Sequence, residues 1–332
     1  MKFLQRFYID GFVLSIFGMV VLASILPASG IGADILDWAV KIAIGLLFLL
    51  YGARLSPREA LDGITHWRLH LTVLAATFVL FPLMGLAMKP LAPGLLSDDL
   101  YSGILFLCLV PSTVQSSIAF TSIAKGNVAG SIVSASFSNI IGVFLTPILV
   151  LTLMETTGSG GIHADAILDI VVQLLVPFIA GQLLRPWLTG FLSRHAAPTK
   201  IVDRGSILLV VYAAFSEGMN AHIWSSTSAV QIVLVIALSC AMLAFVLAVT
   251  IFAGRSLRFS WPDQIVIIFC GSKKSLASGL PMATVLFADS SLGLIVLPLM
   301  IFHQIQLVVC AILARKYAVK SDRLAAEAGG DG

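Results

Sequence analysis

Gly271-Ser-Lys-Lys-Ser-Leu-Ala-Ser-Gly-Leu-Pro281 decides how this chain is read, because it places two adjacent lysines, three serines, two glycines and a proline inside an apolar run. A lysine at the centre of a bilayer costs at least about 2.5–3.5 kcal/mol, so Lys273 and Lys274 must face a wet cavity, an acidic partner or an anionic substrate. Adjacent helical residues point about 100° apart, so the two need not share one role. A second apolar run is broken in the same way by Pro111-Ser-Thr-Val-Gln-Ser-Ser117. Paired interruptions at corresponding places are the best sequence pointer to a transporter site at mid-membrane.

The rest of the chain supports a bilayer as solvent. Of its 332 residues 58% are hydrophobic and 11% charged, against roughly 25% charged in a soluble domain. With a mean hydropathy of +1.01, this composition excludes a soluble enzyme and predicts an all-α, polytopic membrane protein whose surroundings are lipid. Cys108, Cys240, Cys270 and Cys310 lie in apolar runs without CxxC spacing and read as packing, so no metal is expected. The formal charge of +3 is too small to argue for nucleic acid.

Ten spans are predicted, near 9–27, 35–53, 68–89, 100–125, 128–153, 166–186, 202–221, 227–253, 262–287 and 291–315. Phe12 to Leu26 reads as an anchor that stays in the protein, since further spans follow it. With this count, sixteen of the 20 Lys and Arg fall on one side. The positive-inside rule then puts both termini in the cytoplasm of a cell bounded by an inner or plasma membrane. The other side carries Asp98, Asp99, Glu155 and Asp165 and a flexible tip at Gly158, Gly160 and Gly161. Five spans followed by five predict two inverted repeats, because an odd number of helices per half makes the second half enter from the opposite side. The expected organisation is a first repeat over 1–153, a linker over 154–162, a second repeat over 163–318 and a disordered tail over 319–332.

Unwound backbone in a span frees N–H and C=O groups that hydrocarbon cannot satisfy, so it survives only against protein, water or substrate. Half-helix N-termini there offer partial positive charge to an anion. Two kinked helices would be the structural alternative. Candidate binding residues are Gln115, Ser116, Ser117 and Thr121 at the first break and Ser272, Lys273, Lys274 and Ser275 at the second. Glu217 is a candidate counter-charge, or a cap at the outer surface. Ser131, Ser134 and Ser138 share one helix face, which serves packing as readily as a cavity wall. His303, Gln304 and Gln306 are polar within the last apolar run, with His303 read as a structural histidine or a proton carrier.

Pro111 through Pro147, with Ala124-Lys-Gly-Asn-Val-Ala-Gly-Ser131 and Leu145-Thr-Pro147, resembles the fourth and fifth helices of the bile acid:sodium symporter family. Gly271-Ser-Lys-Lys-Ser275 with Ser278-Gly-Leu-Pro281 looks like a divergent branch that includes the seventh human member and bacterial relatives. The resemblance implies crossing broken helices four and nine and an organic anion as substrate. It also implies alternating access of a two-helix panel against a core of spans three to five and eight to ten. Sodium-coupled members carry a Glu and a Gln whose places are taken here by Phe269 and Lys273, and a Gln of the third helix appears as Thr77. An ammonium repels a cation, so sodium coupling is not expected. Lys273 would stand in for the ion as fixed counter-charge or proton carrier, with Thr77 and Ser131 as supporting wall. The same fold also fits a carrier of another small solute, or a sensor or regulatory subunit that binds without transporting. Oligomeric state has no sequence signature here. An intramembrane enzyme is not expected, since no catalytic signature stands outside what topology explains.

Overall fold

The computed structural model describes residues 11–54, 66–92, 94–154, 171–220, 228–287 and 292–329. Every regular element among them is helical: α1 (Gly11–Ile25), α2 (Ile31–Arg54), α3 (Trp67–Ala75), α4 (Phe81–Ala87), α5 (Asp98–Leu109) and α6 (Val114–Ile123). There follow α7 (Val128–Met154), α8 (Val176–Arg194), α9 (Ala196–Asn220), α10 (Ala229–Ser256), α11 (Trp261–Gly271), α12 (Leu276–Leu286) and α13 (Leu292–Gly329). A π-turn, Ala76–Leu80, joins α3 to α4, and another, Val171–Leu175, leads into α8.

Five runs among the described residues are long and apolar enough to cross a membrane: Trp67–Leu91, Val128–Met154, Ala229–Ser256, Trp261–Leu286 and Leu292–Leu324. The pair α5 and α6, bent by 60° at its break, makes a sixth. With α1, α2, α8 and α9 the arrangement is consistent with ten passes. Serines start four of the helices by accepting a free first-turn N–H: Ser97 for α5, Ser228 for α10, Ser260 for α11 and Ser275 for α12.

The helices pack as two groups. One contains α1, α2, α8 and α9, and the other contains α3 to α7 and α10 to α13. The second group matches the expected core of spans three to five and eight to ten, while the first has four helices rather than the two expected of a panel. α2 and α8 touch backbone to backbone. A Cβ on Gly52 would lie 2.0 Å from the Phe178 carbonyl oxygen, and one on Gly181 would lie 2.0 Å from that of Leu49. In lipid, where apolar burial gives helices no reason to associate, such small-residue contacts let van der Waals packing hold them together. The groups meet where α9 packs on α12 and α13.

The broken segment Trp261–Leu286 is 94% buried within the protein, whereas the other four long runs are 33% to 50% buried. It is the axis of the molecule, and this explains how it carries lysines: its solvent is other helices.

The chain's end departs from expectation. Instead of a disordered tail from 319, α13 continues to Gly329. Its extension is held by contacts: Trp261 donates to Ser321 Oγ at 2.8 Å, Ser321 donates to the Ala124 carbonyl at 2.8 Å, and Lys125 pairs with Asp322. The stretch Ala325-Ala-Glu-Ala328 is also rich in good helix formers, which outweighed its small, polar character. The glycine tip at 158, 160 and 161, most of the 154–162 linker, and Glu155, Asp165 and Asp169 lie outside the described residues.

Candidate functional site

Two breaks meet at the centre of the second group, and the backbone groups they free can be followed one by one. Where α5 ends, five successive carbonyls, 108 to 112, find partners on α7 and on the unwound stretch between α11 and α12. Cys108 and Val110 accept from Lys274 Nζ at 2.9 and 2.8 Å, and Leu109 accepts from Thr146 Oγ1 at 2.8 Å. Pro111 accepts the Ser275 N–H at 2.8 Å, and Ser112 accepts from Asn139 Nδ2 at 2.7 Å. The other break is satisfied in return. Ser117 Oγ donates to the Phe269 carbonyl at 3.0 Å, Ser112 Oγ to that of Cys270 at 2.6 Å, and Thr113 Oγ1 to that of Lys274 at 2.9 Å. Buried backbone groups require such partners, and here each broken helix supplies them to the other.

One clip holds each break from the helix that follows it. On α7, Ser138 Oγ accepts the Ser112 N–H at 3.1 Å while Asn139 donates to the Ser112 carbonyl. On α13, the Gln306 amide does both tasks for Lys274: its oxygen accepts the N–H and its nitrogen donates to the C=O, each at 2.8 Å. Asn139 also accepts from Ser278 Oγ at 2.8 Å, which ties the first break to α12. Asn139, Ser112 and Thr113 were not singled out from sequence. An asparagine within an apolar span that follows a broken one is the signal that would have found the first.

The two lysines are both fully buried and differ completely in surroundings. Lys274 Nζ donates to three backbone carbonyls, of Thr77 at 2.9 Å and of Cys108 and Val110, which uses all three of its hydrogens. Thr77 has a free carbonyl for a local reason. In the π-turn the Phe81 N–H bonds back five residues to Ala76, so the next bond in that register would run from residue 82 to Thr77, and Pro82 has no N–H. The Phe81 ring lies 4.2 Å from Nζ. Among the described residues Lys273 Nζ instead donates only to Ser116 Oγ, at 3.3 Å, and sits 3.9 Å over the Phe120 ring and 5.6 Å from that of Phe269.

The remaining predicted residues divide. Thr77 reaches the site through its carbonyl, since its hydroxyl donates to Val73 within its own helix. Thr121, Ser131 and Cys270 form a closed buried cluster: Thr121 donates to Ser131 Oγ at 3.2 Å, and Ser131 Oγ lies 3.3 Å from Cys270 Sγ. Ser272 donates back to Ile268, and Ser275 caps α12 by accepting from Ser278 N–H. Gln115 is exposed and takes no part in the crossing. Glu217 belongs to α9, and its side chain lies outside the described part of the chain. His303 lies against Gln306, its Nδ1 2.8 Å from the amide nitrogen. Where the resemblance puts two sodium ligands, the structure holds the Phe269 ring, packed between those of Phe120 and Tyr317, and the Lys273 ammonium. Neither offers an oxygen to a cation.

Residues 10–319 match the SBF-like CPA transporter family. The chain is 52% identical to the Pseudomonas aeruginosa protein PA2026 over 97% of its length and 96% of that protein's. It is 47% identical to YfeH of Escherichia coli, which carries a symporter's name, over 96% of both chains. It is also 27% identical to the sodium/bile acid cotransporter 7 of Rattus norvegicus, over 94% of both. With its helical architecture and paired breaks, the chain belongs to the SBF-like CPA transporter family, a family of multi-pass membrane carriers rather than enzymes.

Proposed function

We propose that the protein is a secondary transporter of an organic anion that carries the positive charge of its crossover covalently, on Lys274, instead of binding sodium. One observation carries this reading. The Lys274 ammonium, carried by one unwound segment, occupies the oxygen cage formed by the other and the π-turn, the place where freed carbonyls gather. A cation held by three carbonyls neutralises the negative end of α5 and leaves no room for a second ion. Phe269 and Lys273, in place of oxygen ligands, support the same conclusion. With Phe269 and Lys273 where oxygen ligands would stand, the sodium role shifts from an ion to a side chain, and that side chain is Lys274 rather than Lys273.

The matching clips on Ser112 and Lys274, each from the helix after the break, support two inverted repeats. The separate packing of α1, α2, α8 and α9 supports alternating access by movement of that group against the other. The names of the relatives support an organic anion, bile acids among the class. The distribution of Lys and Arg supports cytoplasmic termini. The test is thermal stability of the purified protein in sodium against potassium at constant ionic strength, paired with exchange of labelled organic anions in proteoliposomes. The expected result is identical stability in both salts and anion exchange in both. A sodium-specific rise in Tm, or no flux of any anion, would sink the reading.

A further inference from the structure

The oxygens around Lys274 form a cation site that does not depend on the lysine for its existence. Each is free for its own reason. The π-turn and Pro82 release that of Thr77, while those of Cys108 and Val110 belong to the last turn and cap of α5, where helix carbonyls have no partner within the helix. They therefore gather at the partially negative end of a helix. Ring faces of Phe81 and Phe78, 4.2 and 5.9 Å from Nζ, add the attraction of aromatic quadrupoles for a cation. Among the described residues no carboxylate forms an ion pair with Lys274. Three acceptors at 2.8 to 2.9 Å from one nitrogen match the three donors of an ammonium group.

We infer that the cage of Thr77, Cys108 and Val110 carbonyls is a binding site for a primary ammonium ion, filled in this chain by Lys274 as a tethered ligand, and that shortening this side chain opens the cage to ammonium or methylammonium. The inference rests on the reading that Lys274 supplies the crossover's charge, and it adds the chemistry that the cage selects. Removing the stem leaves three inward oxygens and the space of both stem and ammonium, whereas methionine, one heavy atom shorter than lysine, fills the stem's space and leaves none for the methyl group of methylammonium.

Wild type, Lys274→Ala and Lys274→Met are purified, and unfolding is followed in chlorides of potassium, sodium, methylammonium and tetramethylammonium at equal ionic strength. Methylammonium should raise the Tm of Lys274→Ala saturably, by about 2–4 °C, because a ligand that binds only the native state stabilises it by mass action. Wild type and Lys274→Met, each at its own Tm, should show no difference among the four salts. An unchanged Tm of Lys274→Ala in methylammonium would overturn the inference, as would an equal rise in tetramethylammonium, which has no N–H to donate. A larger response to sodium than to methylammonium would overturn the assignment to ammonium. If Lys274→Ala is not recovered in potassium, the yield of monodisperse protein in each salt is the readout: recovery in methylammonium alone supports the site, and equal failure in all four overturns it. This readout needs no flux. A sodium-stabilised wild type would defeat the transport reading while leaving the response of Lys274→Ala to be judged by itself.

Discussion

Ser275 donates its backbone N–H to the carbonyl of Pro111 at 2.8 Å, so the two broken spans are joined main chain to main chain at the point where each is unwound. No substitution short of proline at position 275 can remove that bond directly. Substitutions around it act by changing how well the neighbouring freed groups are satisfied, and this ranks their expected effects.

Of the two lysine-to-methionine changes, Lys274→Met should be the more damaging. It leaves three buried carbonyls without a donor, at about 1–3 kcal/mol each, so a loss of at least about 3 kcal/mol is expected. Lys273→Met removes one long hydrogen bond and a buried charge from between two rings, and places a side chain of similar size there. Replacing a buried charge by a well-packed apolar group is close to neutral, so its effect on stability should lie within about 1 kcal/mol. Thermal unfolding of the two variants side by side checks the order, and a greater loss for Lys273→Met would contradict it.

The two clips should be separable. Gln306→Leu strands the Lys274 N–H and leaves its carbonyl with Thr113 as hydroxyl donor, while Asn139→Leu strands the Ser112 carbonyl and removes the acceptor of the Ser278 hydroxyl. Each should cost about 2–4 kcal/mol, which unfolding measurements on the single variants would read. The double variant should lose nearly the sum, because the clips sit on different helices and share no partner.

Gly52→Ala and Gly181→Ala should each loosen the four-helix group. The added methyl would fall 2.0 Å from a carbonyl oxygen of the facing helix, and only a backbone shift relieves that contact. A loss of about 1–3 kcal/mol is expected for each. Gly190→Ala, where a Cβ meets nothing within 4 Å, is the control and should be neutral or mildly stabilising. Equal Tm values for all three would rule out the close approach of α2 and α8.

The extension of α13 should be protected from exchange, in contrast to a disordered tail. Ser321→Ala removes the acceptor for Trp261 and the donor to Ala124, with an expected cost of about 1–2 kcal/mol. Asp322→Asn breaks only an exposed pair with Lys125 and should cost under about 1 kcal/mol. Hydrogen exchange over 319–329 tests the helix itself, and exchange at the rate of an unfolded peptide would exclude it.

The spans and their breaks were legible because their signals are compositional. Apolar length marks a helix in lipid, and Pro111 and Gly271 amid polar residues mark where it fails. The division of labour between the lysines was not legible. It depends on which one reaches the carbonyls of Thr77, Cys108 and Val110, and backbone oxygens are common to every residue. Thr77 was chosen for its side chain and contributes its carbonyl, because Pro82, five residues later, removes the N–H that would have claimed it. Gln115 shows the converse. Its polarity within the break suggested a ligand, yet the turn of α6 directs it out of the crossing. The close pairing of α2 with α8 in the first group rests on glycine contacts that can be seen only once the two helices face each other.

The near-complete enclosure of Trp261–Leu286 has a consequence for how the protein is made. A segment with two central lysines and a window hydropathy of only 1.2 faces a penalty of about 5–7 kcal/mol if it meets lipid alone. The oxygens that neutralise Lys274 come from segments synthesised earlier, so they are in place before the lysine emerges. The Gln306 clip comes later. The ninth pass is therefore expected to leave the insertion machinery against a waiting scaffold, with the tenth helix locking it in after synthesis has moved on.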